Sequence, residues 1–144
     1  MVVGLSAAAL QGAPVVTQDV DLWFEDLHDA KMHKALREIG AAYVPPFDLN
    51  PPMLAGPGAD LFDIVLRMDG LSKFEDEWAN TLDVPLGRYR LKVLSLDRIL
   101  ASKTAANRPK DQLVVSVLRD TLASLAAART KQITKPNNPD LTSL

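Results

Sequence analysis

The alternation of apolar and polar positions divides the chain into short strands and helices. Apolar residues 1–3 read as a brief first strand, broken at Gly4, and the alanine-dense run 5–11 reads as a helix that Gly12 and Pro14 stop. The stretch that follows ends in Asp19-Val20-Asp21-Leu22, where strand alternation puts Asp19 and Asp21 on one face and Val20 and Leu22 on the other. Leu27, Ala30, Met32, Leu36 and Ile39 recur near helical spacing, predicting a helix over 25–39 that Gly40 ends. A short strand is expected over 41–44, then a proline-rich irregular loop over 45–58 that reads as a flexible excursion or a substrate-facing lid. Residues 60–68 have the apolar density of a central strand, with Asp63 in the middle.

A helix is predicted over 71–81, with Ser72 and Glu75 spaced as a capping box and Phe74 and Trp78 as its buried stripe. Strands over 82–86 and 89–94 turn at Gly87-Arg88, and Ser95 is placed to cap a helix over 96–106. Pro109 suits the first turn of a last helix over 110–128, whose Leu113, Val114, Val117, Leu118, Leu122 and Leu125 are expected to cover the sheet. From Arg129 the pattern fails. The expected organisation is one α/β (α+β) domain over 1–128, a small mixed sheet covered by helices, with a disordered tail over 129–144.

Composition narrows the classes. At 144 residues, 47% hydrophobic and 24% charged, the chain has the make-up of one globular domain with a core. A net charge of −2 argues against a general nucleic-acid binder, yet the charges are unevenly placed. Arg88, Arg90, Lys92, Arg98, Lys103, Arg108 and Lys110 face a lone acid, Asp97, over 88–110, whereas acids dominate 19–63. A fold joining the two stretches sets cations against carboxylates; solvated faces clustering by sign are the plainer alternative. With no cysteine, disulfides and thiolate metal sites are excluded and a reducing cytoplasm is expected. Residues 1–13 lack the basic start of a signal peptide, and no apolar run approaches the ~20 residues that span a bilayer.

The candidate chemistry begins with Asp19 and Asp21. Neighbouring carboxylates repel unless a cation sits between them, and a divalent ion carrying a nucleoside triphosphate is one such cation. A glycine at a strand-to-helix junction, Gly4, lets backbone N–H groups approach a phosphate, and Ser6 offers a hydroxyl to the same anion. Asp63 is costly in a buried strand unless it binds a metal or pairs with an arginine; on an edge strand it faces water. Lys103 reads as a phosphate-binding ammonium or as a cation complementing a helix C-terminus, and Asp111 as a site residue or as a first-turn acid. His28 and His33, five apart, fall on different helix faces and read as surface residues.

Together, the first strand, Gly4, the short helix and Asp19-x-Asp21 resemble the nucleotidyltransferase fold of the DNA polymerase beta superfamily. The likeness is greatest to its minimal bacterial members, including abortive-infection-type toxin nucleotidyltransferases. The family's second Gly/Ser position is Leu5 here, or is filled one place late by Ser6; members usually carry a helix ahead of the first strand, so either a truncated start or an uncovered sheet is expected. Ser95-Leu96, Lys103, Arg108, Lys110 and Asp111 match a second form that recurs in these members.

The resemblance implies transfer of a nucleoside monophosphate from a nucleoside triphosphate to a hydroxyl acceptor. Asp19, Asp21 and Asp63 would bind two magnesium ions (Mg2+), with Asp63 also able to take the acceptor proton. Gly4, Ser6, Lys103, Arg108 and Asp111 would hold or brace the nucleotide. The acceptor implied is RNA such as tRNA, a protein or a small molecule, and a cognate antitoxin or other partner chain is compatible. Two rivals are a non-catalytic nucleotide- or partner-binding member of the fold and a plain interaction domain with solvated acids.

Overall fold

The computed structural model describes residues 1–133. Its elements are β1 (Val2–Val3), α1 (Gly4–Leu10), β2 (Val20–Trp23), α2 (Ala30–Glu38), β3 (Ala42–Val44), β4 (Met53–Ala55) and β5 (Phe62–Val65). There follow α3 (Phe74–Glu77), continued by a 3-10 turn over Trp78–Asn80, then β6 (Thr81–Leu86), β7 (Tyr89–Leu94), α4 (Leu96–Ala106) and α5 (Pro109–Ile133). This is the expected mixed α/β class.

Five strands form one mixed sheet of order β5-β2-β1-β7-β6, and β3 and β4 form a separate hairpin. β1 lies in the middle, antiparallel to β2 and parallel to β7, so two valines carry the centre of the sheet. Both are β-branched and buried, as a central strand demands. The pairings Val2 with Leu22 and Val93 put these three on one face; Val3 with Asp21, and Asp21 with Asp63, share the other.

Packing follows from side-chain size. Ala7 and Ala8 are fully buried, and alanines let α1 approach β2, β7 and α4 closely. Val3, Val93, Leu94, Ile99 and Leu118 are buried in the main core, each large aliphatic worth about 1.5–3 kcal/mol of burial. A second cluster, Leu36, Ala41, Leu54 and Ala59, packs with Phe62 and Ile64 of β5. Gln11 ties the layers together: its amide donates to the Ala7 and Leu94 carbonyls, and its Oε1 accepts the Leu96 N–H at 3.0 Å. Ser95 occupies the cap position of α4, but its side chain makes no capping bond. Gln11 reaches the orphan donor instead.

Several expectations are corrected. The 60–68 strand is β5, at an edge of the sheet, because the hairpin and α2 pack beside Phe62 and Ile64 and supply the apolar contacts that its composition calls for. The loop over 45–58 contains β4, which closes the hairpin. α2 starts late: Asp26 accepts the His28 N–H and Asp29 accepts the Lys31 N–H at 2.6 Å, so these local side-chain bonds hold residues 26–29 outside the helix. The Ser72–Glu75 capping box does not form. Buried Glu77 takes the Ser72 N–H instead, together with Asn80 and the guanidinium of Arg98. His33 is half-buried, hydrogen-bonded to the Leu27 carbonyl and edge-on to Tyr43.

α5 packs mainly on α4, leaving Leu113 77% exposed, so it covers the sheet less than its apolar pattern suggests. It runs to Ile133, so 129–133 belong to a helix and not to the expected tail; alanine-rich 123–128 carries helical propensity past the last buried contact. The rest of that tail, 134–144, lies outside the described residues. Within 1–133 no helix is long and apolar enough to cross a membrane.

Candidate functional site

At the mouth of β2 and β5 lies a cavity of about 420 Å³. Asp19, Asp21 and Asp63 line it together with Lys103, Arg108 and Lys110. The parallel register sets Asp21 directly beside Asp63, and Asp19, in the bend just ahead of β2, lines the same cavity. The three acids predicted from two separate stretches thus line one cavity, joined there by Lys103, Arg108 and Lys110 of the basic stretch, whereas Arg98 pairs with Glu77 and Lys92 with Asp83. Asp63 is exposed, as an edge-strand residue can be, so it pays none of the desolvation cost that a buried strand would impose.

Gly4 has a more particular role than the one expected of it. It opens α1 in the left-handed region, φ +64°, and a Cβ there would lie 1.9 Å from Asp21 Oδ2. The Asp21 carboxylate occupies the space that a side chain at position 4 would fill. Burial pushes the Asp21 carboxyl above its ordinary value, Lys103 pulls it back, and Asp63 and Asp19 add to the push. The ionised form of Asp21 is thus less favourable than that of a solvated carboxylate, chiefly because of its burial.

Ser6 does not join the cavity. It is buried; its hydroxyl donates to the Val3 carbonyl at 2.9 Å and accepts the Asp21 N–H at 3.3 Å. A hydroxyl has one proton to give, so none is left for an anion. Ser6 instead pins the backbone of Asp21 to β1, a correction to the phosphate contact expected of it.

Asp111 is 1% exposed and sits between two cations. It accepts from Lys103 Nζ at 3.0 Å and from the side chain and backbone N–H of Arg108. Burial alone would raise its pKa, but Arg108 and Lys103 outweigh that and hold it below the usual carboxylate value. Pro109 opens α5 and Asn107 ends α4 in the left-handed conformation, so the tight α4–α5 turn delivers Arg108 and Asp111 to Lys103. Asp111 braces the cationic wall; Lys103 retains two ammonium protons for another acceptor.

Thr17, Arg67 and Asp69 also line the cavity and were not foreseen; Lys110, which belongs to the basic stretch and to the second form of the resemblance, lines it too. Arg67 had a legible signal: it continues the alternation Asp63, Val65, Arg67 on one face. Thr17 and Asp69 lie in loops, where alternation says nothing.

The donor set suits a hard cation. Carboxylate oxygens match magnesium, and added positive charge would offset the repulsion at Asp21. Among the described residues no three acidic or histidine side chains are gathered into a ready-made ion cage. Magnesium, which keeps several waters and uses one or two carboxylates plus phosphate oxygens, is compatible with so open an arrangement.

The chain matches no protein-family model, no curated protein and no solved structure at a meaningful level of similarity. Fold and site together define a small mixed α/β protein whose acid-lined cavity is walled by lysine and arginine.

Proposed function

We propose that this protein is a magnesium-dependent nucleotidyltransferase that moves a nucleoside monophosphate from a nucleoside triphosphate to a hydroxyl. The observation that carries the reading is the pairing of Asp21 with Asp63 across β2 and β5, in one cavity with Lys103. Asp19, Asp21 and Asp63 would hold the magnesium, which when bound supplies charge neutralisation for the triphosphate and the reacting oxygens. Lys103, braced by Asp111, binds phosphate oxygens as a compact charge, and Arg108 and Lys110 extend the same wall. The acceptor oxygen bonds to the α-phosphorus, pyrophosphate departs with the electrons of the broken P–O bond, and Asp63, exposed at the cavity edge, takes the acceptor proton.

The test is incubation with each α-labelled nucleoside triphosphate and a tRNA or protein extract, with pyrophosphate release followed in parallel. Label transfer that falls by several orders of magnitude in Asp19→Ala, with the fold unchanged, supports the reading; equal transfer by the variant refutes it. One observation favours a non-catalytic nucleotide-binding role: Ser6, spent on Val3, removes a phosphate donor from the glycine turn. That role predicts magnesium-dependent thermal stabilisation by a nucleotide with no pyrophosphate released.

A further inference from the structure

A second cavity, about 510 Å³, adjoins the first and shares one wall with it. The shared wall is Arg67-Met68-Asp69, the link from β5 toward α3, which lines both spaces. This wall is held in place from behind. Gly70, φ +69°, lies so close to α4 that a Cβ would meet the Ala105 Cβ at 2.4 Å, and the Ser72 N–H is bonded to buried Glu77. A molecule in the second cavity is therefore separated from the acid cavity by one braced strip of backbone whose Arg67 and Asp69 face both sides.

The lining of the second cavity has two features that act in the same direction. Phe24 and Phe74 contribute half-buried aromatic surface, with the buried core residue Trp23 edge-to-face against Phe74 at 5.8 Å. Away from the shared wall, the charged lining residues are Glu25 and Glu75 against Lys73. Aromatic faces and an excess of carboxylate both attract cations, and both disfavour a polyphosphate chain. On the shared wall, Arg67 is the group that a triphosphate in the first cavity would neutralise, and Asp69 interacts with Arg108, so the acidic excess rests on Glu25 and Glu75.

We propose that the second cavity binds the acceptor, and that the acceptor is a hydroxyl compound bearing an ammonium or guanidinium group. The proposal rests on the nucleotidyltransferase reading and adds to it both a place and a chemical class for the second substrate. The hydroxyl reaches across the Arg67–Asp69 strip toward the α-phosphorus while the cationic group stays against the aromatic wall and Glu75. Nucleic acid, with its continuous phosphate charge, is the acceptor least suited to this lining.

Binding is tested on the full chain by titration calorimetry, with and without magnesium and a non-hydrolysable nucleoside triphosphate. The probes are ethanolamine, a basic serine-containing peptide and total tRNA. The first two separate a small amino alcohol from a peptide source of the same chemistry. Ser72→Arg, at an exposed lining position, narrows the cavity and adds a like charge, and Glu75→Lys reverses its charge. The expected result is binding of a cationic probe that weakens roughly tenfold or more in both variants, about 1.4 kcal/mol, while nucleotide affinity is unchanged. Cationic-probe binding that survives both substitutions, no cationic-probe binding, or tRNA as the probe these substitutions weaken, would each overturn the proposal. A cationic probe that binds as expected beside a first cavity that takes no nucleotide would instead overturn nucleotidyl transfer itself, and the acceptor role with it.

Discussion

Substituting Gly4 by alanine tests the arrangement at Asp21 through two separable costs. The backbone at position 4 is left-handed, which an L-residue adopts at about 1–2 kcal/mol. The new methyl carbon would also stand 1.9 Å from Asp21 Oδ2 and 2.8 Å from its Cγ. Ordinary contact needs more than about 3 Å, so the carboxylate must retreat by about 1 Å or α1 must tilt away from β2. Asp21 cannot move freely, because its backbone N–H is held by Ser6 and its strand is paired on both sides. The expected total is about 2–4 kcal/mol of lost stability, and a displacement near 1 Å at a reacting centre costs about 100-fold in rate. Chemical denaturation of four proteins reads this without any activity assay: wild type, Gly4→Ala, Asp21→Ala and the double variant. In the Asp21→Ala background the alanine at position 4 meets no carboxylate, so its cost should fall to the backbone component alone, a coupling of about 1 kcal/mol or more. Equal cost in both backgrounds would show that Gly4 serves only the turn and would refute the steric argument.

Three further outcomes follow from the charges. Asp21 has a folded-state pKa raised above its unfolded value, so its ionisation favours unfolding as pH climbs past the ordinary carboxylate range. Asp21→Asn should therefore raise the neutral-pH melting temperature in chelator and abolish stabilisation by magnesium plus nucleotide; a lowered melting temperature in chelator would contradict this. Glu77, held by Arg98 at about 2, has the opposite sign: its contribution is complete above 4.5 and is lost as pH falls toward about 2. Unfolding free energies of wild type and Glu77→Gln from urea denaturation should differ by on the order of 2 kcal/mol near neutrality and converge in acid; a constant gap would exclude the ion pair as the cause. Asp111→Asn keeps the side chain's shape but releases Lys103 and Arg108, at about 1–3 kcal/mol. Weaker nucleotide binding without a change in magnesium affinity is expected by titration, and undiminished nucleotide affinity would remove Asp111 from its bracing role.

Much of the site was legible because strand alternation is a local rule. Asp19 and Asp21 share a face in any extended conformation of those residues, and Lys103, Arg108 and Asp111 are gathered by a helix end and a proline that starts the next helix. The hairpin in the proline-rich loop was missed because three-residue strands show too little alternation to stand out from turn residues. The Ser72–Glu75 box was read from spacing alone, while Glu77 won the N–H through Arg98, a residue 21 positions away.

By itself, then, the sequence determined which residues could act: the acid pair, the glycine at the strand-to-helix junction and the cationic helix turn are set by neighbours a few positions apart. Only the tertiary structure decided how they are used. The register of β5 beside β2 chose Asp63 as the neighbour of Asp21, the approach of β2 to α1 turned Gly4 into room for a carboxylate, and the closeness of β1 and β2 spent the Ser6 hydroxyl on the backbone. Each of these is a distance between segments far apart along the chain, set by how the core packs, and no local pattern of residue types encodes such a distance.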